Sequence, residues 1–308
     1  MKLRITQAVP ASIASVFVSW SIEDVDPRRT GATTFTLERS GGPRGPWDTV
    51  ASSLNDPFYV DTLSDTITLM SLQRDVWYRV RATISGGDEL VSAPVNLDNI
   101  EEQTYPFVQS MGVMPAEGDQ HANPTNTFEG RTALNKRLTL IGRAVRRNAA
   151  VNLRMFTGVV CVLLKERSFG PRCPVCYDDR TQTSADPRCG TCYGTSYEGG
   201  FWSPILTSVR ITPTPRQTSV QLEGTSSVQM AQVELVSYPT LEQDDVLVEL
   251  DSGKRWLILD KQRHPSLHRT EVTQHWSASE LSKTAAAYRV PVDRSALYAD
   301  AAVLRLNT

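Results

Sequence analysis

Four of the five cysteines of this chain stand in one stretch, CPVCYDDRTQTSADPRCGTCYGTSYEGG, from Cys173 to Gly200. They form two Cys-x-x-Cys pairs, Cys173/Cys176 and Cys189/Cys192, with twelve residues between them. Each pair can turn two thiolates toward one point. Four thiolates at about 2.3 Å close a tetrahedron around a cation. Zinc fits best, because it accepts soft ligands and has no redox chemistry. Disulfides, an iron–sulfur site and a mononuclear iron of rubredoxin type also match the spacing. Four thiolates leave no position for water, so the site reads as structural, with one metal per chain. An odd cysteine count with a clustered quartet is a poor disulfide framework and fits a reducing compartment. Cys161 lies in the apolar run FTGVVCVLLKERSFG. It reads as core, since free cysteine is among the most buried residue types.

Other chemistry is sparse. His264 and His268 have i, i+4 spacing, but Pro265 intervenes and no His-Glu-x-x-His pattern exists. No Gly-x-Ser-x-Gly elbow or phosphate-binding Gly-Lys-Ser/Thr motif occurs. Acid pairs such as Asp178–Asp179 and Asp244–Asp245 read as solvated turns. The expectation is a protein that is not an enzyme. A second candidate surface is basic. Lys136, Arg137, Arg143, Arg146, Arg147 and Arg154 crowd a segment with no acid between Gly130 and Lys165. The bland reading is a solvated helix face. The sharper one is a partner-binding surface, made by Lys136, Arg137, Arg143, Arg146 and Arg147, for an acidic protein or DNA phosphate. A net charge of −2 argues against a general nucleic-acid binder.

The elements that must hold these residues are mainly β. In VFVSWSI, Val16, Val18, Trp20 and Ile22 share a face at period two. TTFTLERS repeats this with Phe35 and Leu37, and WYRVRATI with Tyr78, Val80 and Ala82. Turn clusters separate them, as in a β-sandwich. Residues 99–130 lack periodicity and read as a linker. Leu134, Leu138, Ile141 and Val145 recur at helical spacing, which predicts an amphipathic helix with these four residues inward. The apolar run through Cys161 predicts a buried strand. From Phe201 on, alternation returns. Val246, Val248 and Leu250 share a face, DSGK turns, and Trp256 and Ile258 begin the return. That predicts an antiparallel barrel or sandwich of about five strands. Tyr288, Val290 and Val292 alternate and predict a further edge strand. No apolar run reaches the roughly 18 residues of a membrane span, and the alternating start does not read as a secretion signal.

Residues 1–98 resemble a fibronectin type III domain: the strand ending in Trp20, then FTLERSGGPRGPWDTV, then VWYRVRATISGGDELVSAPV. The resemblance implies a separable sandwich with Trp20 and Tyr78 as its core pair. Residues 131–206, a basic helix followed by MFTGVVCVLLKERSFGPRCPVCYDD and CYGTSYEGGFWSPI, resemble a zinc-ribbon module of tailed-bacteriophage head–tail junction proteins. QDDVLVELDSGKRWLILDKQRH, within 207–308, is similar to the small barrels of phage adaptor and stopper proteins. These resemblances imply a mainly β, multi-domain virion component, a neck (connector or collar) protein forming a ring. Its partners would be its own copies, portal, adaptor or tail-terminator proteins, and packaged DNA. Two other readings stay open: a nucleic-acid-binding zinc ribbon, and a tail or baseplate protein whose first domain binds glycans. The expected location is the virion, assembled in the host cytoplasm.

Overall fold

Two β-rich bodies share one chain in a computed structural model that describes residues 1–11, 15–23, 33–63, 76–84, 89–97, 136–178, 180–181, 183–184, 186–214, 217–221, 224–263, 265–267, 270–294 and 297. The expected linker at 99–130 lies outside the described residues, as do Leu134, His264 and His268. Of Lys136, Arg137 and Leu138 only the backbone is described.

The first body is a two-sheet sandwich. Its strands are β1 (Lys2–Pro10), β2 (Ser15–Glu23), β3 (Thr33–Ser40), β4 (Asp48–Leu54), β5 (Phe58–Thr62), β6 (Trp77–Ile84), β7 (Glu89–Val91) and β8 (Val95–Asn96). One sheet runs β1-β2-β5 and the other β4-β3-β6-β7, with β8 also on β6. The period-two pattern works as physics requires. Val16, Val18, Trp20 and Ile22 all face the core, against Phe35, Leu37, Tyr78, Val80 and Ala82. Trp20 meets Phe35 edge-on, with ring centroids 5.4 Å apart. The Tyr78 hydroxyl donates to Asp61 Oδ2 (2.8 Å), which also holds Arg39 (2.8 Å). A buried phenol therefore keeps a partner.

The second body begins with helix α1 (Lys136–Asn152), which runs into a π turn at Leu153–Thr157. Then come β9 (Val159–Leu164), β10 (Tyr177–Asp178), β11 (Thr183–Ser184), β12 (Ile205–Pro213), β13 (Gln217–Gln221), β14 (Gly224–Val228), β15 (Met230–Val236), β16 (Val246–Glu249), β17 (Arg255–Arg263), β18 (Ser266–Leu267), β19 (Thr270–Glu271) and β20 (Thr273–Glu280). Six of these close a barrel in the order β12-β15-β20-β17-β16-β9. Cys161 and Leu163 of β9 point into the lumen with Val209, Val233, Leu247, Trp256 and Trp276. Val160, Val162 and Leu164 point outward, yet they too are covered, by Phe201 and Val290 among others. Burial on both faces explains the unbroken apolar run of β9.

Three sequence expectations are corrected. The barrel does not begin at 207: β9 and the start of β12 belong to it, so the cysteine segment is an insertion between two barrel strands. The segment around Tyr288 adds no strand. It makes a short 3₁₀ turn, Ala286–Arg289, and Val290 packs on the outside of the barrel. Arg255 secures it through the carbonyls of Ala287 (2.6 Å) and Val290 (2.8 Å). Over its described side chains the helix faces the other way from expectation. Ile141 and Val145 are exposed, while Arg146 is buried. Among the described side chains of α1 and the following turn, Arg146, Ala150 and Leu153 are buried, and the last two pack against Val9, Phe17, Val236 and Tyr238.

Candidate metal centre

All four predicted ligands converge. Cys173, Cys176, Cys189 and Cys192 are buried, and their sulfurs lie within 4.8 Å of one another. The separations are 3.6 Å for Cys173–Cys176, 3.8 Å for Cys173–Cys189 and 3.2 Å for Cys176–Cys192. A disulfide needs about 2.05 Å, and all five cysteines are free. Four sulfurs tetrahedrally placed at about 2.3 Å from one ion would stand about 3.8 Å apart. The cluster can therefore coordinate a metal ion with only small adjustment.

Local turns create this convergence. Tyr177 N–H donates to Cys173 O (3.3 Å) and Tyr193 N–H to Cys189 O (2.9 Å), so each Cys-x-x-Cys closes one tight turn. The second turn needs Gly200: its φ is +69°, and a Cβ there would lie 2.6 Å from Cys192 O. Backbone amides of Cys192 and Thr191 donate to the Cys189 sulfur and pull that thiol down to about 6. Burial, with the neighbouring thiols, pushes Cys176 up to about 12 despite the Ser184 hydroxyl 3.1 Å away. The amides thus favour a first thiolate at Cys189. A bound cation would deprotonate the rest. Arg172 lies over the rings of Tyr177 (4.8 Å) and Tyr197 (4.3 Å) and closes the flank of the module.

The base of the module does something the sequence did not disclose. Trp202 N–H donates to Lys165 O (2.9 Å), and Arg167 N–H to Gly200 O (3.0 Å), so the two module ends are zipped together. Phe169 and Trp202 then enter the core of the sandwich. Phe169 meets Phe35 edge-on at 6.0 Å and lies tilted against Trp202 at 4.9 Å, and Arg167 lies 4.3 Å from the Trp202 ring centroid. A second joint runs between Gln7 and the barrel. Gln7 Nε2 donates to Ser237 O (2.8 Å), Thr240 N–H donates to Gln7 Oε1 (3.0 Å), and the Tyr238 hydroxyl donates to Ala11 O (2.6 Å). The sandwich therefore shares core and hydrogen bonds with the rest of the chain across these two joints. Aromatic residues at both ends of the cysteine segment, Phe169 and Trp202, were the available signal.

Acids collect beside this joint. The Asp245 carboxylate accepts from the N–H of Glu242 (2.8 Å) and of Glu166 (3.1 Å). Lys165 Nζ is 3.5 Å away. Burial outweighs these and pushes Asp245 up to about 6. Burial, then the charges of Asp244 and Asp245, push Glu166 up to about 7. Both folded values exceed the ordinary carboxylate values near 4, so the folded chain holds protons that the unfolded chain releases. The stability this contributes is full below about pH 4 and is lost as pH rises through about 6 to 7. Glu166 is only half-buried, which discounts its share. We expect stability about 2 kcal/mol lower near pH 8 than near pH 5. Glu166→Gln should flatten the upper part of that slope, and urea unfolding at the two pH values checks it.

The basic candidates divide. Arg143 is half-buried, Arg146 is buried and Arg147 is exposed; for Lys136 and Arg137 the side chains are outside the described residues. Arg143, Arg146 and Arg147 therefore do not all face solvent.

No family model and no curated protein matches the chain. Solved structures give partial likenesses. An Fn3-like protein from Clostridium thermocellum is 23% identical over 32% of this chain and 90% of its own, with a TM-score of 0.25. Titin module A71 from human cardiac muscle is 18% identical over 32% of this chain and 95% of its own, with a TM-score of 0.23. The phage-like element PBSX protein xkdH of Bacillus subtilis is 13% identical over 40% of this chain and 93% of its own, with a TM-score of 0.21.

Proposed function

We propose that this chain is a structural, non-enzymatic component of a tailed-phage virion, a ring-forming neck protein, in which one zinc held by Cys173, Cys176, Cys189 and Cys192 fixes a fibronectin type III-like sandwich to a small barrel. The observation that carries the reading is the placement of the cysteine module. It is inserted between β9 and β12 of the barrel and sends Phe169 and Trp202 into the sandwich core. The closed thiolate set offers a metal no open position, which suits a staple and not a catalyst. The order basic helix, buried strand and cysteine module resembles that of phage head–tail junction proteins. A part that joins head to tail must stay rigid under load, and a metal-clamped joint between two β-bodies provides rigidity without a large core.

The nucleic-acid reading loses support. Arg146 is buried and Ile141 and Val145 are exposed, so over its described side chains the outer face of α1 mixes apolar groups with its arginines, unlike the continuous cationic track that phosphate binding uses. Portal, adaptor or tail-terminator proteins remain the proposed neighbours. Cryo-electron microscopy of purified particles tests the reading. The expected result is a ring of this protein between capsid and tail. Its absence from particles overturns the proposal. Elemental analysis of the purified protein should give close to one zinc per chain.

A further inference from the structure

Among the described residues eight large apolar side chains are exposed; four of them, Ile141, Val145, Met155 and Phe156, lie on α1 and the turn that follows, and a fifth, Val159, opens β9 directly after it. Clustering of this kind marks a contact surface. Ile141, Val145, Asn148, Asn152 and Met155 succeed one another at i+4 and i+3 steps, so they form one outward ridge. The ridge ends on the π turn. There Gly158 N–H donates to Leu153 O (2.9 Å), and a Cβ at Gly158 would stand 2.4 Å from that oxygen. Only glycine closes this turn, and the turn holds up Phe156 with 80% of its surface in water.

Beside it the barrel opens. Val159, Ile211 and Trp256 form the apolar floor of a cavity of about 340 Å³, and Glu249 and Glu280 stand among its lining. Trp256 Nε1 donates to Glu249 Oε1 (2.7 Å), which fixes one carboxylate next to the floor. The mouth carries two carboxylates against the single cation Lys254. The element that displays Phe156 has no acid from Gly130 to Lys165 and carries Arg143, Arg147 and Arg154. The mouth has room for a phenyl ring, and knob and mouth are complementary in polarity and charge. Both belong to this chain, and the exposure of Phe156 shows that its own mouth does not hold it.

We infer that these are the two halves of a contact between copies of this chain: Phe156 of one copy enters the barrel mouth of another, and the ridge packs alongside. Each copy offers one knob and one mouth, so the contact serves an exchange within a pair or a succession around a ring. It supplies the interface that the proposed neck ring would repeat, but it does not depend on a virion location, so that reading can fail while this one holds.

The test is sedimentation velocity of the full-length, metal-loaded protein over a wide concentration range. Wild type should self-associate reversibly. Phe156→Asp should weaken association by on the order of tenfold or more, with metal content and circular dichroism unchanged, because the side chain is in water in the single chain. Ile211→Arg should block the mouth to a similar degree, and Glu280→Lys repeats that test from the rim without touching the floor. A mixture of Phe156→Asp and Ile211→Arg should recover association, since one retains an intact mouth and the other an intact knob. A monomeric wild type, association indifferent to Phe156→Asp, or an inert mixture overturns the inference. Wild type that stays monomeric but binds phosphatidylglycerol vesicles through Phe156 overturns it too, and assigns the ridge to a lipid surface.

Discussion

Stripping the metal, or replacing Cys189 with Ser, is expected to loosen the sandwich as well as the cysteine module. The argument starts from the module, which has almost no core of its own. Among the described residues, only Tyr177 packs with the four cysteines in its small cluster. Metal binding contributes on the order of 10 kcal/mol to ordering such a loop, so without it the turns at Cys173–Cys176 and Cys189–Cys192 have little to hold them. The base of the module is next. Arg167 N–H to Gly200 O and Trp202 N–H to Lys165 O are hydrogen bonds between its two ends. When the ends separate, Phe169 and Trp202 lose the frame that points them at Phe35. Hydrogen exchange on the metal-free protein should therefore show reduced protection in β2, β3 and β6, far in sequence from any cysteine. Cys161→Ser is the control. That thiol sits in the barrel lumen, where burial, first of all, holds it protonated, and its loss should leave metal content unchanged. Full protection of the sandwich strands in metal-free protein would show that the joint stands without the staple.

What the sequence disclosed follows from the range of the forces involved. Cysteine spacing is local, and a metal needs only four thiolates brought to one point, so the centre was legible to the residue. Strand alternation is local too, and Val16, Val18, Trp20 and Ile22 point where period two puts them. The run through Cys161 was legible as buried, but not as a barrel strand, because closure of β9 onto both β12 and β16 joins segments on either side of the cysteine insertion. The helix misled for a definite reason. Amphipathic reasoning assumes that the apolar row meets the chain's own core. Here small and polar positions, Arg146 and Ala150, take that place and leave Ile141 and Val145 outward. Such a reversal has no local signature; it becomes visible only when the surface opposite the helix is known. Gln7 was illegible for the same reason, since its partners Ser237 and Thr240 lie near the other end of the chain.

Truncating Phe169 or Trp202 to Ala is expected to cost about 3–5 kcal/mol each and to register in the sandwich. Both side chains are buried, at 3% and 6% exposure, and both belong to the cluster that contains Trp20 and Tyr78. A domain has only about 5–15 kcal/mol of net stability, so the two changes together should leave the sandwich unfolded or nearly so at room temperature. The same reasoning applies to residues 1–98 made alone. They lack both aromatic residues and the Gln7 joint, and should unfold at lower denaturant than the same strands in the full chain. The contact across the joint can be isolated by a cycle of Phe35→Ala, Phe169→Ala and the double change. The rings meet edge-on at 6.0 Å, a geometry worth about 0.5–1.5 kcal/mol beyond buried area. Residues in contact give non-additive losses, whereas independent sites add to within about 0.5 kcal/mol. If the stapled joint is one cooperative unit, the double variant should lose less than the sum, and both singles should lower the unfolding midpoint read at the metal centre. Additive losses, with the metal site melting unchanged, would mean that sandwich and barrel are neighbours that touch without sharing stability.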